Sequence, residues 1–127
     1  KRMSSPNELK YTEDHEWVKI DGDKALIGIT DHAQSELGDI IFIEFPEIND
    51  HIEQKEPFGT IEAVKTVADL FAPLSGKIIE INKSLEDSPE LVNSDAYGEG
   101  WIVKVSVDNP SQLKDLLSLE SYEKLIG

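Results

Sequence analysis

A chain of 127 residues and 14.2 kDa has the size of one compact domain, able to bury roughly two-thirds of the surface its unfolded form exposes. Hydrophobic residues make up 39% and charged residues 30%, and no run approaches the ~18 apolar residues a membrane span needs, which excludes a transmembrane role. Twelve Lys and Arg against 26 Asp and Glu leave a net charge of -14. That field repels nucleic acid and anionic lipid, so neither is an expected partner and proteins with basic patches are. The absence of cysteine removes disulfides, thiolate metal sites, iron–sulfur clusters and a Cys nucleophile, so any sulfur chemistry must come with a cofactor.

Residues 1 to 9 are polar, contain Pro6 and lack periodicity, which predicts a loose leader. They are too short and polar for a signal peptide, so an intracellular protein is expected: cytoplasmic if bacterial, in the mitochondrial matrix if eukaryotic. Residues 10 to 127 read as a single domain. Glu16 to Ile20 and Lys24 to Thr30 are β-type runs joined by a hairpin turn at Asp21-Gly22-Asp23. Asp31 stands as an N-cap with Gln34 three residues on, and Gly38 as a stop, predicting a short helix over 32–37.

Ile40 to Phe45 is a β segment closed by Pro46, and 47–56 reads as a turn and a weaker strand. Phe58 to Ala63 and Val67 to Ala72 flank Val64-Lys65-Thr66, and the turn Pro73-Leu74-Ser75-Gly76 leads into a strand over 77–82. Residues 83 to 100 form a long loop with one helical turn near Glu90 and Leu91. Trp101 to Val107 alternates apolar and mixed positions as a strand does. Asn109 then caps, Pro110 opens, and Leu113, Leu116, Leu117, Leu119, Tyr122, Leu125 and Ile126 place C-terminal helices over about 109–126. Short strands, frequent turns and helices at the edges predict a mainly β fold, a sandwich or barrel with helical decoration.

Few residues suggest catalysis. His15, His32 and His51 have no metal-ligand spacing and read as solvated surface groups, so no metal site is expected. No serine sits in a nucleophile elbow, and no catalytic residue is assigned. Gly98-Glu99-Gly100 lacks the third glycine of a dinucleotide loop and reads as a close approach of backbone to a neighbouring strand. The odd feature is Lys65, a cation between Val64 and Val67 in a turn without Gly, Asn, Asp or Pro. Taken alone, it is either a gatekeeper that blocks strand pairing or a lysine presented for attachment.

The segment Gly59-Thr60-Ile61-Glu62-Ala63-Val64-Lys65, followed by Asp69, Ala72-Pro73 and Ser75-Gly76, resembles the lipoyl-lysine hairpin of glycine cleavage system H proteins. Residues 11–18 (YTEDHEWV), 28–34 (GITDHAQ), 37–41 (LGDII), Phe45-Pro46-Glu47 and 87–101 (DSPELVNSDAYGEGW) are similar to the same family in the same order. Small departures are Ala63, Asn49 and Ala96, where the family often has Ser, Gly and Pro. The resemblance implies a lipoyl-domain-like flattened barrel or sandwich of two antiparallel sheets, with lipoate in amide linkage on Lys65.

It also implies a carrier that catalyses nothing itself. It would take the aminomethyl group of glycine from a PLP-dependent glycine decarboxylase to an aminomethyltransferase, and present its dithiol to dihydrolipoamide dehydrogenase. A lipoate-attaching enzyme is a further partner, and a monomer is expected. Glu62 and Asp69, on either side of Lys65, are candidates for recognition by the modifying enzyme or partners. Glu16 is the candidate for protecting the loaded arm, with a solvated acid in the cluster Glu13, Asp14 and Glu16 as the alternative. A second role that the family allows is a lipoyl relay, donating lipoyl groups to oxoacid dehydrogenase acyltransferases.

Overall fold

The computed structural model describes residues 9–127. Of the expected leader only Leu9 falls within them, and its side chain is buried. Strands β1 (Lys10–Tyr11), β2 (Glu16–Asp21), β3 (Lys24–Ile29), β9 (Val103–Val107), β8 (Gly76–Ile81) and β5 (His51–Ile52) lie side by side in that order in one sheet. Strands β4 (Ile40–Glu44), β6 (Pro57–Ala63) and β7 (Val67–Phe71) form the second. All pairings are antiparallel. The two sheets form a sandwich and not a closed barrel.

The strand alternation builds the core between them. Ile27, Ile29, Ile78, Val103 and Val105 of the larger sheet and Ile40, Ile43, Ile61 and Leu70 of the smaller one are buried in one cluster, the interior that alternating apolar positions predict. Along β2 the period of two puts Glu16 and Val18 on the core side and Trp17 on the opposite face. There Trp17 joins Leu9, Tyr11 and Tyr122 in a second buried cluster, and its indole N–H donates to the Ala96 carbonyl at 2.9 Å. Gly28, opposite Trp17 in the pairing, has no Cβ because the ring occupies that space.

Helices sit at the rims. Helix α1 (Asp31–Leu37) is capped by Thr30 and not by Asp31. Thr30 is extended and its Oγ1 accepts from the Ala33 N–H at 3.1 Å, while Asp31 lies in the first turn and accepts from the Gln34 side chain. Gly38 ends the helix at φ 84°, where glycine is unstrained. The 83–100 segment holds two short helices instead of one turn, α2 (Ser84–Asp87) and α3 (Leu91–Ser94). The final strand starts at Val103, two residues later than expected.

The C-terminal expectation resolves into a 3-10 helix at Pro110–Asp115, capped by Asn109, and α4 (Leu119–Ile126), capped by Ser118. Between them Leu117 and Tyr11 exchange backbone hydrogen bonds at 2.7 and 2.8 Å, tying this segment to the edge strand β1. The predicted close approach at Gly100 is real but faces a helix and not a strand, since a Cβ there would meet the Leu91 and Asp95 carbonyls and Val92 Cα. Asn49 takes φ 81°, a left-handed conformation that asparagine tolerates better than most residues.

Candidate functional site

Lys65 sits at the tip of the β6–β7 hairpin. Ala63 N–H donates to the Thr66 carbonyl at 2.8 Å, leaving Val64 and Lys65 as a two-residue tip. Neither has a positive φ, so the turn needs no glycine or asparagine. The tip is also fastened from outside, because Val64 N–H donates to the Asp39 carbonyl at 3.0 Å. The lysine side chain is exposed and lies over Gly38, where an added Cβ would stand 3.4 Å from Cε. The glycine that ends α1 is required by its positive φ, and the lysine stem packs over it at van der Waals distance.

The support under the tip is polar and was not legible as a motif. Asn93, in α3, donates through its side-chain amide to the Gly38 carbonyl and to Gln34 Oε1, both at 2.8 Å. Its Oδ1 accepts from the Ile40 N–H at 3.0 Å. One side chain therefore fixes the end of α1, the start of β4 and, through Asp39 between them, the hairpin.

β7 carries the chain from the tip toward Leu70, five residues beyond Lys65 and roughly 16 Å away at ~3.3 Å per residue. It forms one wall of a cleft of about 170 Å³ with Ala68, Asp69 and Leu70, facing Leu37 of α1 and His15 and Glu16. Glu16 is 2% exposed. Its Oε2 accepts from the Phe71 N–H at 2.8 Å and its Oε1 from Thr12 Oγ1 at 3.3 Å. Burial pushes its carboxyl up to about 8, with the Asp14 charge adding to the rise, against the opposing pull of the Phe71 and Thr12 bonds. Glu16 is thus no solvated member of an acidic cluster. It also borders a second cleft of about 330 Å³ with Thr12, Phe71 and Pro73.

Glu62 and Asp69 lie in adjacent cross-strand rows of the small sheet. Glu62 pairs with Val67 and is half-buried on the outer face of the small sheet. Asp69 pairs with Thr60, is exposed, and lines the cleft that Glu16 closes. The histidines depart from a purely solvated reading. His15 and His32 rings lie 4.9 Å apart, and His15 Nδ1 is 2.9 Å from the Tyr122 hydroxyl, which is 2.7 Å from Thr30 Oγ1. Burial, then His32, lowers the His15 pKa. His51 bridges Glu53 and Asp108 on the surface. No group of three or more His, Asp and Glu able to hold a metal ion occurs among the described residues.

The family model described as "Glycine cleavage H-protein" matches residues 9–127. The chain belongs to the glycine cleavage H-protein family. A glycine cleavage system H protein of Staphylococcus carnosus is 56% identical over 125 residues, covering 98% of this chain and 99% of that protein. The crystal structure of a glycine cleavage system H protein from Mycobacterium marinum matches with TM-score 0.86 and 36% identity, covering 97% of this chain and 99% of that one. Members of the family are lipoyl carriers of glycine cleavage and not catalysts, which is the role of this chain.

Proposed function

We propose that Lys65 carries lipoate through an amide at Nζ and that the arm lies along β7 with its far end in the cleft beside Glu16. The observation that carries this reading is the hairpin itself: an exposed lysine on a two-residue tip, fastened through Asp39 and opening onto a cleft one strand-length away. The cleft fits such a group, since Leu37, Ala68 and Leu70 offer apolar walls to a hydrocarbon chain and Glu16 offers a carboxyl at its inner end. Attached there, lipoate would supply a disulfide able to accept the aminomethyl group, and the dithiol left on the arm after the cargo departs would be the form that is reoxidised.

The chain's own residues hold, shield and neutralise. Lys65 Nζ supplies the amide nitrogen, and the apolar walls exclude water from whatever occupies the cleft. Glu16 faces an incoming cationic amine in a site where burial has raised its pKa. An ammonium beside it favours the ionised carboxylate, and the carboxylate in turn keeps the amine protonated. A protonated nitrogen has no lone pair with which to expel sulfur, so the cargo is retained.

The expected partners are the glycine decarboxylase, the aminomethyltransferase, dihydrolipoamide dehydrogenase and a lipoate-attaching enzyme, with Glu62 and Asp69 as recognition residues beside the lysine. The bacterial relative supports a place in the bacterial cytoplasm. The relatives' names support glycine cleavage over lipoyl relay. The test is tandem mass spectrometry of protein lipoylated in its host, beside Lys65→Arg, which keeps the charge but cannot be acylated there. The lipoyl increment belongs on Lys65 alone and is absent from the variant; finding it on another lysine overturns the assignment.

A further inference from the structure

We propose that the outer face of the small sheet is the docking surface for the enzyme that acylates Lys65, and that this enzyme presents an apolar patch rimmed by lysine or arginine. The inference rests on Lys65 being the acylated residue. It starts from where exposed apolar surface collects. Among the described residues six large hydrophobic side chains are about half exposed or more, and four of them surround this hairpin: Ile41 at 49%, Phe42 at 56%, Val67 at 61% and Val64 at 72%.

Strand register places them together. Phe42 pairs with Glu62 and Glu62 with Val67, so the three form one cross-strand row on the outer face. In the next row Glu44 pairs with Thr60 and Thr60 with Asp69, with Thr60 Oγ1 donating to Glu44 Oε1 at 3.2 Å. A bulge between Ile40 and Phe42 leaves Ile41 exposed as well. A solvated sheet face with no binding duty carries polar residues at such positions, and large apolar side chains exposed on both sides of Glu62 mark an interaction site.

Charge selects the partner's chemistry. The three strands contain Glu44, Glu62 and Asp69 and no Lys or Arg, so the exposed apolar side chains of these strands are interleaved with acids. Basic residues on the partner would complement it. Reaction geometry selects which partner. The attaching enzyme must bring an activated acyl carbon, as a mixed phosphoric anhydride or a thioester, to Nζ. The new C–N bond forms as the phosphate or thiolate departs with its bonding electrons, and Nζ loses two protons in passing from ammonium to amide. That reaction point is one side chain away from Val64 and Val67. Enzymes that use the loaded arm react at its far end, away from this row.

The test uses unlipoylated full-length protein, a lipoate–protein ligase, ATP and lipoate. The double variant Phe42→Ser/Val67→Thr keeps strand-compatible residues, and Ile48→Ser removes an exposed apolar side chain elsewhere. The ligase KM for the double variant should rise roughly tenfold, the size of a lost interface anchor, with kcat and melting temperature near wild type and with Ile48→Ser unchanged. Once lipoylated at high enzyme, the double variant should be turned over by dihydrolipoamide dehydrogenase at the wild-type rate. A wild-type ligase KM for the double variant, with mass spectrometry placing the group on Lys65, overturns the docking surface and leaves the attachment site standing. An equal loss in the dehydrogenase reaction also overturns it. Acylation of the wild type at another lysine overturns the underlying reading instead.

Discussion

The Phe71 amide donates to Glu16 Oε2 at 2.8 Å, and the bond joins the two sheets, since Glu16 opens β2 of the larger and Phe71 closes β7 of the smaller. A carboxyl at such a seam titrates unlike a surface acid. Its folded pKa, about 8, stands above the ordinary value of 4.5. Below 4.5 both folded and unfolded states hold the proton and Glu16 contributes no pH dependence. Between about 4.5 and 8 the unfolded state ionises first, so stability falls as pH rises, and above 8 the penalty is constant. Glu16→Gln should therefore be more stable than wild type by on the order of 1–3 kcal/mol near pH 8, with the gap closing toward pH 4.5. Urea denaturation of both proteins across that range checks it; a gap independent of pH would show that the carboxyl ionises normally.

The same substitution should shorten the life of the cargo. The glutamine side chain keeps nearly the volume of Glu16 but carries no charge to hold an amine protonated. Purified amine-loaded Glu16→Gln should lose ammonia and formaldehyde faster than wild type, by several-fold, with no aminomethyltransferase present. Lipoylation at Lys65 should be unaffected, which separates the effect from damage to the hairpin. Equal decay rates would remove Glu16 from cargo protection.

Asn93 makes its prediction through three hydrogen bonds. Asn93→Ala strips partners from the Gly38 carbonyl and the Ile40 N–H together, and part-buried groups left unpaired cost about 1–3 kcal/mol. Because Asp39 lies between those two anchors and accepts from Val64, loosening should reach the lysine hairpin. Amide hydrogen exchange at Ile40 and Val64 should quicken beyond the global change in stability. Exchange faster only in proportion to lost stability would show that Asn93 does not hold the tip.

Much of this was legible because strands declare themselves by alternation and turn residues by backbone need. The β2–β3 hairpin, the β6–β7 hairpin with Lys65 at its tip, the stop at Gly38 and the cap at Asn109 all fall where local chemistry puts them. The burial of Glu16 was readable too, since a residue two before Val18 shares its face, but the nearby acids Glu13 and Asp14 suggested a solvated cluster. What local pattern does not carry is long-range pairing. Asn93 reaches Gly38 and Ile40 across more than fifty positions, and His15 meets Tyr122 across 107. Thr30 and Asp31 are both good caps, and only the backbone conformation at Thr30 decides between them.

The contact between Gly28 and Trp17 offers a prediction that links the second core to the site. A Cβ on Gly28 would fall 2.6 Å from two indole carbons, closer than any packed pair tolerates. The ring cannot easily withdraw, because its N–H is bound to the Ala96 carbonyl and Tyr97 lies against it at 6.3 Å. In most strands alanine is no worse than glycine, yet here overpacking should win, and Gly28→Ala should cost about 1–3 kcal/mol. The disturbance has a route to the helix beside Lys65, since the Tyr97 hydroxyl accepts from the Asp31 N–H at the start of α1. In a Trp101→Phe background, which leaves Trp17 as the sole tryptophan, Gly28→Ala should lower the melting temperature and shift the indole emission. An unchanged melting temperature and spectrum would mean that the ring has room to move, and that the glycine is not kept by this contact.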